Sequence, residues 1–244
     1  LRAELRGSSV EESISLTYVV PWTDPALEKL AFELRGFREQ RADVETSGTS
    51  LRAGLTQVRG KWQRVLFVTA DTTSDKVTTT SGDSTLIDRK QSKLLVPGIS
   101  FASLPPGFLG VNAVPRGLQV ELIGSTSALG SDTDFTRILV RDERRLRLTD
   151  RLRLQLRAEA GASVVGEFQE LPARYRFFAG GDTTVRGYED DRLATEIISV
   201  GVPPLDNVQQ LRILPSGGNI RAMASLDAQL RIWKVFATAA FVDA

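Results

Sequence analysis

Arg151-Leu152-Arg153-Leu154-Gln155-Leu156-Arg157-Ala158-Glu159-Ala160 alternates without a break: every odd position is polar or charged and every even one apolar. A helix would scatter these side chains around its circumference, so the period of two requires a β-strand with one greasy and one wet face. The same alternation extends outward from this segment. Leu118, Val120 and Leu122 oppose Gln119 and Glu121, and Ala222 through Ile232 carries Ala224, Leu226, Ala228 and Leu230 against Ser225, Asp227, Gln229 and Arg231. Leu30, Phe32 and Leu34 oppose Glu33 and Arg35, and Leu1, Ala3 and Leu5 oppose Arg2, Glu4 and Arg6. Less regular strands are expected near 13–20, 49–58, 63–70, 86–95, 134–148 and 234–243, about ten to twelve strands in all.

Several of these strands are about ten residues long, more than the roughly five or six of an average soluble strand and close to what an outer-membrane crossing needs. Alternation alone does not say which face is inside. In a soluble sandwich the leucines pack inward; in a membrane barrel they face lipid and the charged face lines a wet lumen. Pro21-Trp22-Thr23-Asp24-Pro25 and Leu146–Arg151 read as compact turns, whereas 71–85, 161–183 and 190–219 read as long loops.

Composition narrows the function classes. With 31 basic and 30 acidic residues the formal charge is +1, which gives no bulk electrostatic case for a nucleic-acid partner. The apolar runs are only a few residues long, too short for a membrane-spanning helix. The chain has no cysteine and no histidine, which removes disulfides, thiol chemistry, imidazole ligation and the usual Ser–His and Asp–His machinery. Neither a catalytic centre nor a metal or cofactor site is expected. Glu159, Asp190 and Asp191 read as lumen or loop charges, and the spacing of Asp71, Asp75, Asp83 and Asp88 matches no calcium-loop template. The start at Leu1 and the end at Phe241-Val242-Asp243-Ala244, within an expected strand, read as cut edges.

One stretch departs from the alternation. Arg176-Phe177-Phe178-Ala179-Gly180-Gly181-Asp182-Thr183-Thr184-Val185-Arg186-Gly187-Tyr188 places aromatics, three glycines and one apolar-flanked arginine in a segment that is neither strand nor solvated turn. The glycines allow a tight fold-back, and Arg186 is a fixed fork-shaped cation suited to a distant carboxylate. This stretch resembles, nearly position by position, the loop signature of the BamA/TamA-type outer-membrane insertases and translocases, with the TamA branch nearest. Supporting matches are Leu94–Ile99, the turn Pro115-Arg116-Gly117-Leu118, Gly217-Gly218-Asn219 before an alternating strand, and Phe241–Ala244 as the start of a family strand motif.

The resemblance implies an all-β, antiparallel transmembrane barrel of sixteen strands, of which residues 1–244 would be the central part, without the periplasmic POTRA domains and the closing strands. It also implies that the loop formed by Gly180, Gly181, Asp182, Val185, Arg186, Gly187 and Tyr188 folds into the lumen. There Arg186 would pair with Asp243, Phe241 would pack beside the arginine stem, and Asp227 would stand on the preceding strand where relatives more often carry Glu. The function implied is non-enzymatic: insertion or translocation of autotransporter-like clients in the outer membrane of a Gram-negative bacterium. Its partners would be the lipid bilayer, client outer-membrane proteins and a periplasm-spanning protein. Two alternatives stand beside it: a two-partner-secretion-type pore of the same family, and a soluble β-sandwich that binds carbohydrate through Trp22, Trp62 and Trp233. On the barrel reading these tryptophans sit at membrane interfaces.

Overall fold

The computed structural model describes the chain except residues 9, 42–43, 82–83, 106–109, 113–116, 183, 194–216 and 234–235, together with the side chains of 78–88. Eleven strands form one sheet in chain order, each antiparallel to the next. They are β1 (Arg2–Gly7), β2 (Glu11–Pro21), β3 (Glu28–Arg41), β4 (Val44–Arg59), β5 (Trp62–Ser81), β6 (Ser84–Ser103), β7 (Gln119–Ser125), β8 (Phe135–Arg147), β9 (Leu152–Val165), β10 (Ile220–Arg231) and β11 (Ala237–Asp243). Among the described residues, the only helical pieces are one-turn 3₁₀ segments, and β1 and β11 each pair on one side only.

Register keeps the two faces apart. One cross-strand row runs Val20–Leu30–Leu55–Leu66–Ile99–Leu122–Ile138–Ala162–Ile220 from β2 to β10, every member apolar. A second runs Ala3–Leu16–Leu34–Leu51–Ala70–Leu95. A one-residue slip in any strand would turn its leucines to the other face. These rows have no second layer over them: Leu16, Leu34, Leu51, Leu66, Leu122 and Ile138 remain 40–54% exposed. A soluble sandwich would bury them, so the structure removes the sandwich alternative and leaves acyl chains as the solvent that suits this face. Within 152–160 the even-numbered side chains lie on this outer face, while Glu159 is buried on the inner one.

The inner face is polar, with salt-bridged pairs such as Arg35–Glu11 and Arg141–Glu159. Its buried apolar patch joins Phe67, Leu94, Val96, Ile123 and Phe135 to Leu171 and Tyr175 of the connection between β9 and β10. The core is therefore a wall packed against an infolded loop.

Two expectations need correction. Residues 71–85 are not a long loop: β5 and β6, 20 residues each, carry their ladder through to Ser81↔Ser84. The pattern misleads there because the strands rise beyond the apolar rows and both faces become polar. Likewise 161–165 belong to β9. The longest connection, 166–219, lies at the end that joins β3 to β4 and β5 to β6, while 104–118 lies at the other. The turn at Pro115-Arg116 and most of 190–219 fall outside the described residues. Trp22, Trp62 and Trp233 all sit at the end that carries the β2–β3, β4–β5 and β10–β11 turns, and all are at least partly exposed.

Candidate functional site

The loop after β9 enters the inner face in two sections, a stem over 168–178 and a tip over 179–193. The tip is a tight fold-back. The Gly181 amide donates to the Tyr188 carbonyl at 3.1 Å, and the Gly180 amide donates to Thr184 Oγ1 at 2.8 Å. Gly180 and Gly181 have φ of 117° and 87°, a region costly for other residues. A Cβ at Gly180 would meet the Glu189 carbonyl, and one at Gly181 the Asp190 side chain. Both positions therefore require glycine twice over, for backbone and for space.

This fold-back delivers Arg186 to a square of inward-facing residues on β10 and β11. Ser225 is paired in register with Asp243, and Asp227 with Phe241, so the four side chains form two adjacent cross-strand pairs on one face. Arg186 Nε donates to Asp243 Oδ2 at 2.8 Å and Nη2 to Asp243 Oδ1 at 2.6 Å, a two-pronged grip. Nη1 donates to Asp227 Oδ1 at 2.5 Å and Nη2 also to Ser225 Oγ at 2.9 Å, while the Arg186 amide donates to Asp243 Oδ2 at 3.0 Å. The guanidinium carbon lies 3.7 Å from the centre of the Phe241 ring. Phe241 thus lies under the cationic plane itself, rather than beside the aliphatic stem as expected, and adds a cation–π contact. The Arg186 side chain retains 19% exposure and that of Asp243 5%.

Hydrogen bonds to Asp243 and then Asp227 hold the Arg186 pKa above its ordinary value, so its guanidinium stays charged. Arg157 approaches Asp227 Oδ2 at 3.5 Å, so two arginines face two aspartates and the square is charge-balanced. Asp227 is a short side chain, yet the loop tip brings the Arg186 guanidinium within direct hydrogen-bond reach of it. Of the remaining loop residues singled out from sequence, Val185 is half-buried, whereas Asp182, Gly187 and Tyr188 are exposed.

The stem is a second anchor that the sequence reading did not find. Tyr175 donates its hydroxyl to Asp71, and Arg174 Nη1 reaches Asp71 Oδ1 at 3.4 Å while stacking 4.3 Å from the Phe37 ring. The Ala173 amide donates to Asp75 Oδ2 at 2.9 Å, and Thr46 donates to the other oxygen of Asp75 at 2.6 Å. Burial, then the Asp71 charge, raises the Tyr175 pKa far above its normal value and keeps it a donor. Further along, the Phe177 ring lies between Arg137, at 4.4 Å, and Arg221, at 5.4 Å, over the bare backbone of Gly161. Arg221 also binds Glu159 and the Phe178 carbonyl. Asp71 and Asp75 share strand parity with Thr69 and Thr73, which was the available signal. Reading 71–85 as a loop discarded it.

The loop therefore ties β5 at its stem to β10 and β11 at its tip. Such an arrangement can brace a barrel wall. Among its described residues no group is placed as a nucleophile with an adjacent base.

A family model described as the Omp85 superfamily domain matches residues 1–244. Among solved structures the fold is similar to the crystal structure of BamA from Haemophilus ducreyi lacking POTRA domains 1-3, with a TM-score of 0.68 and 15% identity. That match covers 96% of this chain and 49% of the BamA chain, so the present chain spans about half the length of that relative. At this identity the likeness concerns the fold.

Proposed function

This chain belongs to the Omp85 superfamily of outer-membrane β-barrel insertases and secretion proteins, and we propose that it serves the insertion of other β-barrel proteins rather than their export through its lumen. It is a bacterial outer-membrane protein of a family whose members are transporters and insertases, not enzymes. In the proposed arrangement residues 1–244 form the central strands of a larger barrel, with POTRA domains before them and the closing strands after. Autotransporter-like proteins are the clients, a periplasm-spanning protein is the partner, and the lipid bilayer is the working medium.

One observation supports insertion over a conduit: the loop is fastened at both ends of its path across the inner face, through Asp71 and Asp75 on β5 and through Asp227 and Asp243 on β10 and β11. A polypeptide passing through the lumen would have to displace both anchors. A client strand adding to an edge of the wall would leave them in place, and edge addition uses the backbone groups any strand carries. The braced lumen then keeps the remaining wall in shape while one seam opens.

The test is folding of an autotransporter barrel into liposomes that contain the full-length protein, alongside single-channel conductance in planar bilayers. Wild type is expected to accelerate client folding with little steady conductance. Arg186→Glu should abolish most of the acceleration, because it sets three carboxylates together. Asp243→Arg alone should do likewise, and the two combined should recover activity in part. Large steady conductance with no effect on client folding would instead favour the secretion-pore alternative.

A further inference from the structure

We propose that the outward-facing cations Lys76, Arg89 and Lys93 on the β5–β6 hairpin form a docking site for a phosphorylated lipid headgroup in the outer leaflet. Lys76 and Arg89 are direct register partners on the outer face, so two positive side chains stand opposite each other across one antiparallel pair. Like charges in that position repel, and a bound anion between them removes the penalty. Lys93, paired with Thr72, lies on the same face two residues beyond Leu95, the last member of an apolar row, which puts it about 7 Å above the greasy belt. Headgroup phosphates sit at that depth, above acyl chains.

The neighbouring charges leave this cluster basic. Arg38 binds Glu45 at 3.4 Å and approaches Glu12 at 3.9 Å. Lys76 touches Glu45 only at 3.9 Å. Asp132 accepts the backbone amide of Lys93 at 2.6 Å. Among the described residues no carboxylate pairs with the side chains of Arg89 or Lys93, and both are exposed. The hairpin lies at the same end as the long loop connection, which in barrels of this class is the extracellular end. The facing leaflet is therefore the outer one. Its phosphates, carried on a large glycolipid, match three cations spread over two strands better than a single small headgroup would.

The experiment is native mass spectrometry of the full-length protein in mild detergent, titrated separately with bisphosphorylated lipid A, the same lipid after enzymatic dephosphorylation, and dioleoyl phosphatidylglycerol. Wild type should retain the bisphosphorylated lipid most strongly, with affinity falling about fivefold for each of Lys76→Gln, Arg89→Gln and Lys93→Gln. Arg144→Gln, at the opposite rim, should change nothing. Arg89→Glu converts the like-charge pair into an opposite one, so it should raise the melting temperature of lipid-free protein while abolishing retention. Retention unchanged in the triple Gln variant or in Arg89→Glu overturns the proposal. So does equal retention of the dephosphorylated lipid, or of phosphatidylglycerol with the same sensitivity to the variants, which would mean a general anion site.

Discussion

Arg186 and Tyr175 solve the same problem in different ways. Each must hold a loop residue to an aspartate on the wall, against the entropy of ordering a long connection. Arg186 does so with a planar fork whose donors reach two carboxylates and a hydroxyl while its face rests on Phe241. Arg186 and Asp227 keep some side-chain exposure, 19% and 15%, whereas the Asp243 side chain keeps only 5% and Ser225 is buried, so the grip depends on geometry as much as on charge. Tyr175 is buried, and Asp71 beneath it is 3% exposed, with Arg174 at 3.4 Å as its second partner among the described residues. Tyr175→Phe keeps the ring packing against Phe135 but removes that donor, which should cost about 1–3 kcal/mol for a buried carboxylate left short of a bond. Chemical denaturation of the two proteins side by side measures it. The pH dependence carries a sign. A phenol whose folded pKa is raised gives stability that is full below its unfolded value near 10 and is lost only as pH climbs above it. The difference between wild type and Tyr175→Phe should therefore be flat from about pH 6 to 9 and shrink above about 10, and a difference already fading at neutral pH would contradict the assignment.

Strands announce themselves in this sequence wherever the two faces meet different media. From Arg151 to Ala160 the contrast between charge and leucine is complete, and β9 was legible as a strand with two distinct faces, although alternation alone did not say which of them points inward. Beyond the apolar belt the contrast disappears, since Thr72, Thr73, Ser74 and Asp75 are polar whichever way they point, and so the upper half of β5 resembled a loop. The tip anchor was legible because its signature is local and rich in glycine. The stem anchor was not, because Asp71 and Tyr175 lie far apart in sequence and meet only through the fold. Gly161 shows how an element can be shaped by such a distant partner. A Cβ there would lie 2.5 Å from the Phe177 ring and 3.1 Å from Leu139, so the strand carries glycine where the loop aromatic lies flat on it. Gly161→Val should displace Phe177 and destabilise the fold by about 1–3 kcal/mol, the range for overpacking a filled site. Gly166→Ala, with no atom within 4 Å of its new Cβ, should leave the unfolding midpoint nearly unchanged. Equal midpoints for the two variants would mean that Phe177 does not seal against β9.

Across the whole molecule the loop joins walls that four intervening strands of the sheet separate, from β5 at the stem to β10 at the tip. A single sheet curved around water has no packed layer to fix its curvature, so a crossing strut supplies what a second sheet supplies in a sandwich. The strut either stays in place during the working cycle or withdraws from the lumen to let a client pass, and these two courses differ in a measurable way. Val44 on β4 and Ala173 in the stem belong to one buried cluster with Phe178, and the chain has no native cysteine to interfere. Val44→Cys with Ala173→Cys should form a disulfide on oxidation and fix the stem to the wall. If the strut stays in place, client folding by the oxidised double variant should remain within about twofold of its reduced form, since a cross-link between groups already in one cluster restricts only the unfolded and undocked states. Arrest on oxidation, reversed by reductant, would mean that the stem must leave its site in each cycle. The same result would return the lumen to consideration as a path for the client.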